Sequence, residues 1–118
     1  MPRAKTLKEP ASVLRDVPPQ NAFYFYRSIG APTGAAARNL SDFVGVLSSI
    51  DIASIQFHTG RGDFENWLRM LGDDLLAQQI TGLKEKKLSG EQLRTHLVDV
   101  VKTRINQIQK RTISASMP

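Results

Sequence analysis

From Asn39 onward, apolar residues recur at helical spacing and polar residues fill the gaps. Leu40, Phe43, Val44 and Leu47 form one stripe, with Asn39 or Ser41 able to cap its start and Asp42 in its first turn. Asp51 can cap a short helix through Ile52, Ile55 and Phe57. Asp63 can cap the next, where Phe64, Trp67, Leu68 and Leu71 fall at i, i+3, i+4 and i+7 and so share one face. Gly72-Asp-Asp breaks the chain, and Leu75, Leu76, Ile80 and Leu83 carry a fourth helix. After the polar linker Lys84-Glu-Lys-Lys, Ser89-Gly-Glu-Gln92 has the form of a capping box. It opens the longest helix, whose stripe is Leu93, Leu97, Val100, Val101, Ile105 and Ile108.

Before Asn39 the pattern differs. Phe23-Tyr-Phe-Tyr26 alternates two ring types and is bounded by Pro19 and by Gly30-Ala-Pro-Thr-Gly34, which favours a strand. Gly34-Ala-Ala-Ala-Arg38 either returns as its partner in a small hairpin or leads in as coil. Residues 1–20 carry four prolines and little periodicity, and read as a flexible or extended arm with room for a short turn at Ala11–Arg15. The expected architecture is mainly α: a compact bundle of about five helices over residues 21–110, a small N-terminal β-hairpin, and a disordered tail over 111–118.

Charge changes this picture at the ends only. The net charge is +5, yet residues 21–101 hold eight basic and nine acidic side chains. The excess lies in Arg3, Lys5, Lys8 and Arg15 at one end and in Lys102, Arg104, Lys110 and Arg111 at the other. Such ends either attract phosphate without regard to sequence or simply keep the protein in solution. The chain has no cysteine, which removes disulfide and thiolate chemistry and fits a cytoplasmic address. No run approaches the roughly 18 apolar residues of a membrane span, and the basic start has no apolar run behind it, so neither a membrane protein nor a secretory signal is expected.

Residues 57–67 are the densest in useful side-chain types. His58, Asp63 and Glu65 would form an acid–base site if they converged, because His58 titrates near neutrality and a carboxylate could orient it. No nucleophile accompanies them. The structural reading is that Asp63 caps a helix, Arg61 pairs with a carboxylate and His58 bridges the preceding helix end, with Phe64 and Trp67 in the core. Arg61-Gly62-Asp63 spells an integrin-binding tripeptide by coincidence, and Gly30–Gly34 is one residue short of a phosphate loop and lacks its lysine. The two histidines, His58 and His96, stand far apart, so neither a metal nor a cofactor is expected.

Two features point towards a partner instead. On a strand, Tyr24 and Tyr26 share a face, and beside Arg27 they could stack on unpaired bases; otherwise both faces of the strand are covered. Arg104 falls inside the apolar arc of the last helix, where an unpaired guanidinium is costly. Either the helix overhangs the core there and Arg104 reaches water, or it meets an acidic partner or a second subunit.

Phe23-Tyr-Phe-Tyr26, Thr33-Gly34, Ala37-Arg-Asn-Leu40-Ser-Asp-Phe43, Phe57-His58-x-x-Arg61-Gly-Asp63-Phe64-x-x-Trp67-Leu68, Leu71-Gly-Asp73-x-Leu75-x-Ala77 and Leu93-Arg94 together resemble a small prokaryotic, mainly archaeal family known only as a domain of unknown function. The resemblance covers roughly residues 22–108. It implies a prokaryotic source and brings no activity, cofactor or catalytic residue.

The expectation is therefore a non-enzymatic binding module for DNA, RNA or a ribonucleoprotein, working through Arg3, Lys5, Lys8, Lys102, Arg104, Lys110 and Arg111, with Tyr24, Tyr26 and Arg27 as further contacts. The alternative is a protein-interaction or self-associating module built on the last helix or the strand edge. An enzyme centred on His58, Asp63 and Glu65 ranks last.

Overall fold

A computed structural model describes the backbone of residues 10–116 and the side chains of residues 12–110. Among these residues the chain forms an antiparallel hairpin, β1 (Phe23–Ser28) and β2 (Ala31–Ala37), followed by five helices. These are α1 (Leu40–Leu47), α2 (Ile52–Arg61), α3 (Asp63–Leu71), α4 (Asp74–Glu85) and α5 (Gly90–Ser116). Of the two readings of Gly34–Arg38, the returning strand is the one adopted.

The hairpin is joined by a two-residue turn, Ile29–Gly30, in which Gly30 takes a left-handed φ of 75°. Its ladder is irregular. Tyr24 pairs with Ala36 and Tyr26 with Pro32, so β2 spends four residues where β1 spends two. In the bulged stretch the Thr33 hydroxyl donates to the Phe25 carbonyl across the hairpin at 2.8 Å. A hairpin alone is marginal in water. This one is held by burying Phe23 and Phe25 against α2 on one side and α1 on the other.

Phe23 sits at the centre of the resulting aromatic cluster. Its ring lies 4.8 Å from Phe25, 5.8 Å from Phe43, 5.2 Å from Phe64 and 5.8 Å from Trp67, mostly edge to face. The helical stripes read from the sequence supply the rest of the core: Leu40, Phe43 and Leu47 from α1, Phe64, Trp67, Leu68 and Leu71 from α3, and Leu76, Ile80 and Leu83 from α4. Leu75 is the exception. It points outward and is about half exposed, because the buried neighbour that α4 uses is Ala77.

The helix boundaries follow local chemistry. Asn39 accepts from the Asp42 amide, Asp51 from Ala53 and Asp73 from Leu76, each satisfying an otherwise orphaned N–H. α5 begins at Gly90, and the Leu93 N–H donates to the Ser89 carbonyl. Asp63 does not cap α3. A single left-handed residue, Gly62 (φ 75°, ψ 18°), ends α2 and occupies the cap position of α3 as well, so Asp63 is already the first helical residue and its carboxylate is free to turn elsewhere.

Two arginines that the sequence left unassigned close helix ends. Arg94 on α5 donates to the Leu47 and Ile50 carbonyls, both at 2.7 Å, sealing the end of α1. Arg15 donates to the Leu71 carbonyl at 2.8 Å at the end of α3.

Residues 12–20, read above as part of a flexible arm, pack on the body. Pro10–Leu14 forms a 3-10 turn against α5, and Val13 and Val17 are both buried. Val17 exchanges hydrogen bonds with Arg38 through its amide (2.8 Å) and its carbonyl (2.7 Å). The turn falls where the sequence allowed one, but two valines are too few to show a period, which is why their burial was not legible. At the other end, α5 continues through Ser116, beyond the boundary expected at residue 110.

Arg104 settles differently from the overhang expected for it. It is 9% exposed and its Nε donates to Asp73 Oδ2 at 2.8 Å, so the acidic partner is within the chain. Among the described residues no helix is long and apolar enough to cross a membrane.

Candidate functional site

The tyrosine strand and the His58 segment, separate candidates in the sequence, meet at one place. Strand alternation buries Phe23 and Phe25 and turns Tyr24 and Tyr26 outward, where they are 48% and 36% exposed. No helix covers them, so the expectation of a strand covered on both faces does not hold. Below β1, the last turns of α2 carry Phe57, His58 and Arg61, and the first residue of α3 is Asp63.

His58 is buried against β1. Its Nε2 accepts the Tyr26 backbone N–H at 2.9 Å, which requires a lone pair there and places the ring proton on Nδ1. Nδ1 then donates to Asp63 Oδ2 at 2.8 Å. Burial pushes the imidazole pKa down, and the Asp63 hydrogen bond opposes that shift. Both ring nitrogens are thus engaged in holding the hairpin on α2 and α3, and neither offers a free lone pair to a substrate.

Asp63 Oδ2 also meets Arg61 Nε at 3.2 Å, while the Arg61 guanidinium lies over the Phe57 ring, 5.0 Å from its centroid. Glu65 does not join them. Two residues further along α3 it faces α4, where it accepts from the Thr81 hydroxyl at 3.2 Å and lies 3.6 Å from Lys84 Nζ. His58, Asp63 and Glu65 therefore do not converge. Among the described residues no group of three His, Asp or Glu side chains could hold a metal ion.

Between the hairpin and α2 lies an open hollow of about 390 Å³, lined by Tyr24, Tyr26, Ile29, Phe57, Arg61 and Asp63. The sequence pointed to Tyr24, Tyr26 and the charged pair, but it missed Phe57 and Ile29 as lining residues. Ile29 is 84% exposed at the tip of the hairpin, and an isoleucine beside a turn glycine was the only local sign of it.

The remaining cations are placed as follows. Arg27 lies away from the tyrosines, since its strand position shares the parity of Phe23 and Phe25, and it pairs with Asp51 at 3.0 Å. Arg61 stands beside the tyrosines in its place. Arg104 is consumed by Asp73. Lys102 and Lys110 are exposed on α5. Arg3, Lys5 and Lys8, and the side chain of Arg111, lie outside the described residues.

The chain belongs to the DUF5752 family of unknown function, whose pattern it matches over residues 4–102. No curated protein and no solved structure matches it.

Proposed function

We propose that this family member is a non-enzymatic binding module that works in the cytoplasm and holds single-stranded nucleic acid, alone or within a ribonucleoprotein. The hollow beside Tyr24 and Tyr26 is its recognition site, and the basic ends are its source of attraction. The observation that carries this reading is the exposure of two tyrosines on one strand face beside an open hollow, in a cluster whose other hairpin aromatics are buried. Aromatic rings presented from a strand are a common platform for unpaired bases. The engagement of both His58 nitrogens in the fold argues against a general base at the same place.

The two parts of the reading separate experimentally. Fluorescence anisotropy with short single strands should give an affinity that falls steeply as salt rises from about 50 to 200 mM. Replacing Arg3, Lys5 and Lys8 together with glutamine should weaken binding to all strands and reduce the salt slope by about two, since each neutralised phosphate contributes roughly 0.7. Replacing Tyr24 and Tyr26 with alanine should instead cost about 1–3 kcal/mol per stacked base and leave the salt slope unchanged. Undetectable binding at low salt, to RNA and DNA alike, would sink the reading.

A further inference from the structure

The hollow has more definition than a flat stacking platform. Side chains two apart on a strand stand about 6.4–6.8 Å from each other, close to twice the spacing of about 3.4 Å between stacked bases. β1 is free of extra residues between Tyr24 and Tyr26, since the surplus of the irregular ladder lies in β2, so this spacing applies to the two tyrosines. Both line the same hollow, and neither ring pairs with another aromatic ring among the described residues. Each is also held. The Tyr24 hydroxyl donates to the Pro19 carbonyl at 2.5 Å, and the backbone that carries Tyr26 is fixed by its N–H bond to His58. The volume of about 390 Å³ is near the lower end of the range for small-molecule sites, which suits one flat ring system.

The polar groups at this hollow are incompletely used. Asp63 receives both His58 and Arg61 on the same oxygen, Oδ2. Among the described residues nothing bonds to its Oδ1, nor to the terminal nitrogens of Arg61, whose side chain is half exposed. A forked N–H donor and a carboxylate acceptor are therefore offered side by side at the edge of an aromatic slot. Guanine presents the matching edges: O6 and N7 accept from an arginine fork, and its ring N–H and amino group can donate to a carboxylate. Adenine has an amino group where guanine has O6, so it loses half of the arginine match.

From this geometry we propose that the hollow between the hairpin and α2 takes up a single unpaired guanine, its ring inserted between Tyr24 and Tyr26 and its edge read by Arg61 and Asp63. The proposal rests on the nucleic-acid reading above and assigns the ligand of that same site.

The test uses the full chain and short strands of abasic deoxyribose phosphate that carry at the centre one guanine, one adenine or no base, so that charge and length stay constant. The guanine strand should bind at least about fivefold tighter than the baseless strand, and at least about fivefold tighter than the adenine strand. Arg61→Lys keeps the charge but loses the fork. It should abolish the preference for guanine over adenine. Equal affinity for all three strands, with binding itself retained, overturns the proposal and leaves the nucleic-acid reading standing. So does a guanine preference that survives in Arg61→Lys. Absence of binding to every strand overturns both.

Discussion

Asp73→Ala is expected to lower the stability of the protein by about 3–5 kcal/mol, a large fraction of the roughly 5–15 kcal/mol that holds a domain of this size. Asp73 is 1% exposed and does two jobs. Oδ1 accepts the Leu76 amide at 3.1 Å and starts α4, while Oδ2 accepts from Arg104 Nε at 2.8 Å and ties α5 to that helix start. Alanine removes the cap, worth about 1 kcal/mol. It also strands a guanidinium in the interior, which is the larger cost. Urea denaturation of Asp73→Ala, Arg104→Met and the double variant forms a closed cycle. The double variant should be less destabilised than the sum of the two single ones, because removing both partners leaves no orphaned charge. Additive losses, or a single loss below about 1 kcal/mol, would mean that the pair is not the buried tie described. Arg104→Glu belongs to the same class. It would place two carboxylates together in the core and damage the fold before it informed on any ligand.

His58 is the second position with a large expected effect. Alanine there leaves the Tyr26 N–H without an acceptor and opens a hole beneath β1, for a loss of about 2–4 kcal/mol. In the intact protein the same contact makes stability depend on pH. The folded state holds the imidazole pKa below the value near 6.5 that it regains on unfolding. Between the two values the unfolded chain binds more protons, so stability rises with pH through that window. His58 thus contributes fully above about pH 6.5, and its contribution is lost as the pH falls towards the folded pKa. Protonation turns Nε2 from acceptor into donor, facing the donor on Tyr26. Burial and the Arg61 cation resist this protonation, and Asp63 is the carboxylate that favours it. Thermal melting should therefore show a falling midpoint between about pH 7 and pH 5, above the range where ordinary carboxylates titrate. His58→Gln should have a lower midpoint at pH 7 and a flatter profile. An unchanged slope in that variant would assign the pH dependence elsewhere.

The helical body was legible because burial repeats every three or four residues: the stripes of α1, α3 and α5 could be read directly, and Asn39, Asp51 and Asp73 cap as their types suggest. The hairpin was legible through its rings, whose alternation fixes Phe23 and Phe25 inside and Tyr24 and Tyr26 outside. What stayed hidden depends on residues distant in sequence. Arg104 was correctly located in an apolar arc, but its partner lies 31 residues away and leaves no local trace. The contact between His58 and the Tyr26 amide spans 32 residues and involves the backbone, which any residue type could supply. Asp63 failed as a cap because a neighbouring glycine in a left-handed conformation took that position first. The candidate site suffered most from this, since its two halves come from β1 and from the α2–α3 junction and become one surface only when the chain is folded.

Trp67, the one tryptophan of the chain, sits where these halves join. Its indole N–H donates to the Asn21 carbonyl at 2.8 Å, just ahead of β1, and its ring rests against Phe23. Loosening of the hairpin admits water to this indole, while the rest of the bundle holds no second fluorophore of its kind. The protein accordingly carries a native optical gauge beneath the tyrosine-bearing surface of the hairpin. A red shift of its emission that precedes the loss of helical circular dichroism marks a local detachment of that surface ahead of collapse of the whole fold, without any added dye.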